Sequence, residues 1–230
     1  MRLNRVLTID QTPRQLIDER VVLDLYAPGR ANYTVVVDSD HPLKPFQFVT
    51  FDLGYSNQDL HRWFRGYVEK VVPVGDRRAK VFCRELSAVL AKPLPLNLRH
   101  VSAREVVTEI NRLTGLNFAT PETDYSTTKV ANFYNIGTGY AAMNEIGRVF
   151  NIVDYIWQQQ AGIVYVGSWA DSRWANKKDL LLPQGLFDKQ SENKSAKVLA
   201  MPALRPGVRL RGNRITTIEF KENHMTVAWL

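Results

Sequence analysis

One cysteine, Cys83, is all this chain of 230 residues has, which excludes an intrachain disulfide framework and any zinc cluster built on cysteines, and fits a reducing compartment. Histidine is nearly as scarce. His41, His61, His100 and His224 show neither H-x3-H nor HExxH spacing, so a metal site would have to gather ligands from distant parts of the chain. No apolar run approaches the roughly 18 residues of a membrane span. The N-terminus, MRLNRVLTID, is basic but lacks the apolar stretch of a signal peptide, so a soluble protein made in the cytoplasm is expected. There is no G-x-S-x-G elbow and no repeat of fixed period.

What remains is an ordinary globular composition, 45% hydrophobic and 23% charged, long enough for two lobes or for one barrel interrupted by an insertion. The formal net charge of +7 is unevenly spread: residues 1–100 carry 15 basic against 11 acidic groups, 101–175 carry 5 against 7, and 176–230 carry 10 against 5. Positive charge outside the middle favours an acidic protein partner or a merely solvated face, with nucleic acid as the other possibility.

Residues 21–95 read as strands. Val21–Tyr26, Tyr33–Val37, Phe46–Phe51, Trp63–Val72 and Ala79–Glu85 are β-branched or aromatic runs, separated by turn formers such as Pro28-Gly29 and Gly75-Asp76. Such a succession suggests an antiparallel barrel or sandwich. Ahead of them, Thr12 with Pro13 and Gln15 predicts a short capped helix. Lys92-Pro93-Leu94-Pro95-Leu96 reads as an extended linker.

The middle is mixed. Ser102 and Glu105 form a capping box, Val106, Ile110 and Leu113 recur at helical spacing, and Gly115 suits a left-handed helix end. A second helix, Tyr140 to Phe150, puts Ala142, Ile146, Val149 and Phe150 on one face after Gly137-Thr138-Gly139. A hairpin follows, from Ile152–Gln158 to Ile163–Val166. Residues 171–196 are polar and irregular around Leu180-Leu181-Leu182-Pro183, and Lys189 to Lys197 predicts an exposed loop. Val208–Arg211, Ile215–Phe220 and Met225–Trp229 return to strands. The fold class is therefore β-rich α+β, with regions 1–95, 96–175 and 176–230 and the two β regions able to complete each other.

Candidate chemistry is thin. Cys83, inside Val81-Phe82-Cys83, reads as a core residue, and Gly137-Thr138-Gly139 lacks the remaining features of a phosphate-binding turn. Asp38 with Asp40, and Asp18 with Glu19, read as turn and surface carboxylates. No catalytic, metal or cofactor site is expected. His61-Arg62-Trp63-Phe64-Arg65-Gly66-Tyr67 mixes aromatic and basic residues, a pattern suited either to stacking on single-stranded nucleic acid or to packing and subunit contact. Strand alternation sends Trp63, Arg65 and Tyr67 to one face. Large aromatics and arginine dominate interface energetics, so these three, with Trp169 and Trp174, are the candidate subunit or partner contacts, the last two fitting a core position equally well.

An ordered set of short motifs carries a resemblance. Phe64-Arg65-Gly66-Tyr67-Val68, then Pro73, the strand Val81–Leu86, Pro93-Leu94-Pro95 and a helix closing on Thr114-Gly115-Leu116 resemble phage tail hub proteins of the late-control protein D family and the hub part of type VI secretion spikes. Leu204-Arg205-Pro206-Gly207-Val208 and Gly212-Asn213-Arg214-Ile215 are similar to the closing strands of that family. The resemblance implies two tube-protein-like β-barrel lobes per subunit around a helix-containing insertion. Three copies would then form a ring presenting six lobes to a sixfold tail tube. The partners it implies are further copies of the chain, a tail tube or distal tail protein, a separate central spike protein and, transiently, DNA during ejection. It places the protein in the tail baseplate of a virion.

Overall fold

The computed structural model describes residues 2–181, 187–191 and 194–229, with side chains described outside 182–193. It divides into two compact units, Met1–Glu85 with Lys178–Leu230, and Leu86–Lys177. In chain order the first unit holds β1 (Leu3–Ile9), β2 (Thr12–Arg14), β3 (Leu16–Asp24), β4 (Arg30–Val36), β5 (Phe48–Tyr55), β6 (His61–Pro73) and β7 (Arg78–Glu85). The second holds β8 (Leu96–Ser102), α1 (Ala103–Thr114), β9 (Asn117–Ala119), α2 (Asp124–Thr127), β10 (Lys129–Asn135), α3 (Gly139–Val149), β11 (Tyr155–Gln160) and β12 (Ile163–Ser168). The chain then returns to the first unit with β13 (Phe187–Ser191), β14 (Ser195–Leu199), β15 (Arg209–Leu210), β16 (Asn213–Lys221) and β17 (His224–Trp229).

The first unit is one antiparallel sheet in the order β13-β14-β17-β16-β3-β4-β7-β6-β5-β1-β2, with β15 on β16. The join between the early and late strands is β16 on β3, with Phe220 opposite Val21. Laid flat, β16 and β5 would stand about 24 Å apart at the usual ~4.8 Å per strand. The rings of Phe51 on β5 and Phe220 on β16 are 5.8 Å apart, so the sheet curls over a shared core. Alternation supplies that core: Ala31, Tyr33 and Val35 of β4, and Ala79, Val81 and Cys83 of β7, are all buried.

Two local expectations are corrected in this unit. Thr12 to Arg14 is a strand: Asp10 and Gln11, both at positive φ, make a two-residue turn that lays Thr12 opposite Ile9. Pro13 then sits on a three-residue edge strand, where its missing N–H leaves no ladder position empty. The stretch expected as a loop at Lys189 to Lys197 belongs mostly to the antiparallel pair β13–β14, with residues 192–193 outside the described set. Leu182-Pro183 of the apolar stretch also lies outside it.

The second unit follows its local signals closely. Ser102 Oγ accepts from Glu105 N (3.3 Å) while Glu105 Oε2 accepts from Ser102 N (2.7 Å), and Gly115 ends α1 at φ 71°. The buried stripe is Ala103, Val106, Val107 and Ile110, an i, i+3, i+4, i+7 set that stops short of Leu113, which is exposed. Lys92 to Leu96 is extended but paired: Leu94 N donates to Gly137 O at 2.9 Å, and Pro93 bridges Thr138. Thr138 caps α3 through Ala141 N, and a Cβ on Gly139 would lie 2.9 Å from backbone atoms of Leu90, so close packing explains this glycine.

Candidate interaction surface

Strand β6 carries three of the five predicted contact residues, and its register separates them. Phe64 stands opposite Phe51 and Arg62 opposite Asp52, which leaves Trp63 as the extra residue of a β-bulge. A bulge puts two successive side chains on one side, so Trp63 and Phe64 both enter the core, at 2% and 1% exposure. The expected common face of Trp63, Arg65 and Tyr67 is therefore corrected: Trp63 points inward and the other two outward. Trp63 packs on Phe220 at 5.6 Å and donates from Nε1 to Leu204 O at 3.2 Å. The Arg205 guanidinium lies 5.4 Å over its ring and donates to the carbonyls of Trp63 and Arg62. Two segments far apart in sequence thus meet at one structural joint, Leu204 and Arg205 from within the motif resemblance and Arg62 and Trp63 from just before it.

Buried beside this joint is Glu85, which accepts from Gly29 N at 2.6 Å. Burial pushes its carboxyl up to about 7, against the smaller opposing effects of the Gly29 hydrogen bond and the Arg205 charge. Gly66, the glycine of the F-x-G-x-V run, faces Glu85 across β6–β7, and a Cβ there would lie 1.9 Å from Arg84 O.

Arg65 and Tyr67 remain on the outer face. Tyr67 stands opposite Phe48 and stacks on Phe46 with ring centroids 6.3 Å apart. Phe46 and Phe48 are 75% and 62% exposed, far more than a core aromatic. Neither is loosely held: Phe46 N donates to Val68 O at 2.7 Å, and Phe48 N donates to Asp10 Oδ1 at 2.9 Å. Phe46 also occupies left-handed backbone, φ 69°, a conformation that disfavours a bulky residue. An open pocket of about 470 Å³ adjoins Phe48 and is lined further by Thr8, Gln11, Arg62 and Arg65. Asp52 holds Arg62 in place through two hydrogen bonds, 2.5 and 3.3 Å.

Sequence reasoning missed Phe46 and Phe48 as outward residues, although the signal for Phe48 was present. Phe48 occupies one register of β5, and Val49, Phe51 and Leu53 the other, while Phe46 lies in the turn before the strand. Only one register can face the core, so Phe48 had to face outward.

Trp169 and Trp174 belong to the second unit. Trp174 is 5% exposed, donates from Nε1 to Gln158 Oε1 at 3.3 Å, and carries the Arg173 guanidinium (4.4 Å) and the Lys177 ammonium (5.0 Å) over its ring. Trp169 is half-buried and donates from its backbone to Asp154 O at 2.8 Å. Among the described residues, no group of three or more His, Cys, Asp or Glu is placed to hold a metal ion. Cys83 is buried, which pushes its thiol well above the ordinary range. Among the described residues, no helix is long and apolar enough to cross a membrane.

No family model matches the chain. An uncharacterized 58.7 kDa protein of Haemophilus phage HP1 is 33% identical over 220 residues, covering 95% of this chain and 40% of that protein, so the chain spans less than half its relative's length. A 43 kDa tail protein of prophage MuSo2 from Shewanella oneidensis superposes with a TM-score of 0.72 at 11% identity, over 100% of this chain and 98% of the other. A tail protein of Neisseria meningitidis MC58 gives 0.68 at 8% identity, over 99% and 96%. A component of the Escherichia coli type VI secretion system, itself described as structurally similar to bacteriophage T4 tail proteins, gives 0.64 at 12% identity, over 97% and 76%. At such identities the likeness is one of architecture: this chain has the β-rich fold of phage tail proteins and of a type VI secretion component.

Proposed function

We propose that this chain is a non-enzymatic structural subunit of a phage tail, acting in the baseplate hub. Copies of it form a trimeric ring that joins the tail tube to a separate central spike protein. The carrying observation is the fold match to a phage tail protein along essentially the whole of both chains. The type VI component, described as similar to T4 tail proteins, supports the same reading, as does a relative encoded by a phage. In this role, chemistry gives way to mechanics. A sheet with open edges and an outward aromatic cluster offers backbone pairing and apolar contact to neighbouring subunits, and permanent interfaces of this kind bury about 2,000 Å² or more.

The test is the mass of the purified protein in solution, by light scattering across a concentration series. A species at three times the chain mass is the expected result. A chain that stays monomeric at every concentration, and also beside the spike protein made by the same phage, sinks the ring. Binding of single-stranded DNA with a steep salt dependence would then move the reading to a nucleic-acid module.

A further inference from the structure

The edge strand β2 ends in an arginine that its surroundings do not satisfy. Arg14 stands opposite Leu7, a core residue, so its side chain lies on the core side of the sheet, and the residue is only 9% exposed. Its Nε and Nη1 are shut away from solvent without a hydrogen-bond acceptor. An inward charge on an edge strand can guard against edge pairing, but a guarding charge keeps its bonds to water. Here two N–H donors have given up water and received no hydrogen bond in return, although the Asp38 carboxyl, held below its ordinary range chiefly by the His41 and Asp40 hydrogen bonds, owes part of that to the Arg14 charge.

Arg14 lines an open pocket of about 490 Å³ beneath the loop that precedes β5, together with Asp10, Thr12, Asp40, His41, Pro42, Lys44, Pro45, Phe46 and Gln47. The charges around it are largely engaged. Asp38 Oδ2 is bonded to His41 Nδ1 at 2.8 Å, Asp10 Oδ1 accepts from Phe48 N, and Asp40 Oδ1 accepts from Ser39 Oγ at 3.5 Å. The Lys44 ammonium makes no ion pair among the described residues. The pocket therefore offers two cations, Arg14 and Lys44, and a rim carrying the exposed Phe46 ring and two prolines.

We infer that this pocket is a carboxylate-binding site that receives an aspartate or glutamate, flanked by apolar residues, from a segment of a neighbouring polypeptide. A guanidinium pairs with a carboxylate along its Nε–Nη2 edge, and the Nε of Arg14 is the donor on that edge left without a hydrogen bond. The nearby Asp10 and Asp40 would repel a phosphate dianion more strongly than a single carboxylate, and the aromatic and proline rim gives the flanking side chains something to cover. The site stands whether or not the chain closes into a ring.

The experiment follows the Arg14 Nε–H resonance of 15N-labelled protein, identified by its loss in Arg14→Lys. Sodium acetate, sodium phosphate and a capped tripeptide with glutamate between two phenylalanines are titrated at constant ionic strength. The resonance should move with acetate and saturate with the tripeptide at about tenfold lower concentration, the gain being that of two aromatic contacts. The glutamine version of the peptide should leave it unmoved. A resonance unmoved by acetate and by the glutamate peptide overturns the site. Phosphate acting below acetate overturns the carboxylate class, and acetate equalling the peptide overturns the polypeptide source. Arg14→Met, which removes an unsatisfied buried charge, should fold and lose the peptide-induced shifts of neighbouring backbone amides; retention of those shifts counts against Arg14 as the receptor.

Discussion

The two units were built by different kinds of instruction. The second is a single stretch, Leu86–Lys177, whose helices start and stop on chemistry a few residues wide: a capping box at Ser102, a left-handed Gly115, a threonine cap at Thr138. The first needs both ends of the chain at once. Its defining contacts span the sequence, as when Arg20 makes two 2.8 Å bonds to Glu219, 199 residues away. Local chemistry makes a unit that sequence can spell out, whereas long-range pairing makes one whose details are set by the partner strand, and whose loop-closure cost falls on folding.

The harshest way to sharpen that contrast is to put a methyl group where each unit tolerates none. Gly66→Ala in the first unit would drive its Cβ to 1.9 Å from the Arg84 carbonyl, a backbone atom held in the β6–β7 ladder. Gly147→Ala in the second would meet the Tyr155 ring at 2.4 Å, with the ring tethered by its hydroxyl to Met143 O. Moving a strand costs more than moving a ring. Denaturant titration should show Gly66→Ala losing about 4 kcal/mol or more, with Gly147→Ala milder, at about 2–3 kcal/mol. Equal losses would erase the distinction.

A second break targets the joint that no local pattern announces. Arg205→Met keeps an unbranched apolar stem and removes both donors to the bulge carbonyls of Arg62 and Trp63, so a loss of about 3 kcal/mol is expected. That joint also marks where sequence reading ran out. The strand at Trp63–Val72 was legible, and so was the glycine within it. The bulge was not, because an extra residue shows only against the partner's register: Phe51 opposite Phe64, Asp52 opposite Arg62. One unforeseen residue sent Trp63 from the expected contact face to the core. The misplaced helix at Thr12 has the same origin, since Pro13 suits a first helical turn and an edge strand equally and only pairing with β1 decides. Phe48, by contrast, was legible from its alternation with Val49 and Phe51, whereas the left-handed turn that carries Phe46 was not.

Glu85 gives the first unit a pH dependence of its own. Folding raises its pKa from 4.5 to about 7, so the native state holds a proton that the unfolded chain releases. The contribution is fully present below about pH 4.5 and is lost as pH climbs to 7, a decline of about 3 kcal/mol. Glu85→Gln should flatten that decline and be the more stable protein at pH 8, its amide oxygen still accepting from Gly29 N. A wild-type stability that rises between pH 5 and 7 while the Gln variant's stays level would refute the assignment. In the second unit the corresponding test is smaller: Ser102→Ala removes one side of the capping box and should cost about 1 kcal/mol, read from the same titration.

The smallest expected effect on stability falls on the outer aromatics, and it separates packing from contact. Phe48 is 62% exposed and contributes little to its own core, so Phe48→Ser should shift unfolding by no more than about 0.5 kcal/mol. Trp63→Phe, a change inside the core, should cost about 2 kcal/mol through the lost Nε1 bond to Leu204 O and the smaller ring. Self-association should respond in the opposite order. If the outer face of β5 and β6 is where neighbouring subunits meet, Phe48→Ser reduces the assembled fraction in light scattering while the monomer stays folded, and Trp63→Phe leaves assembly of the folded fraction unchanged. Burial explains why the two predictions must differ: a ring covered by its own chain has nothing left to offer a neighbour, while one held in place yet uncovered still has its apolar face to bury. Should Phe48→Ser assemble like the wild type, the outer aromatic face is not the subunit contact, and the open sheet edges become the surface to mutate next.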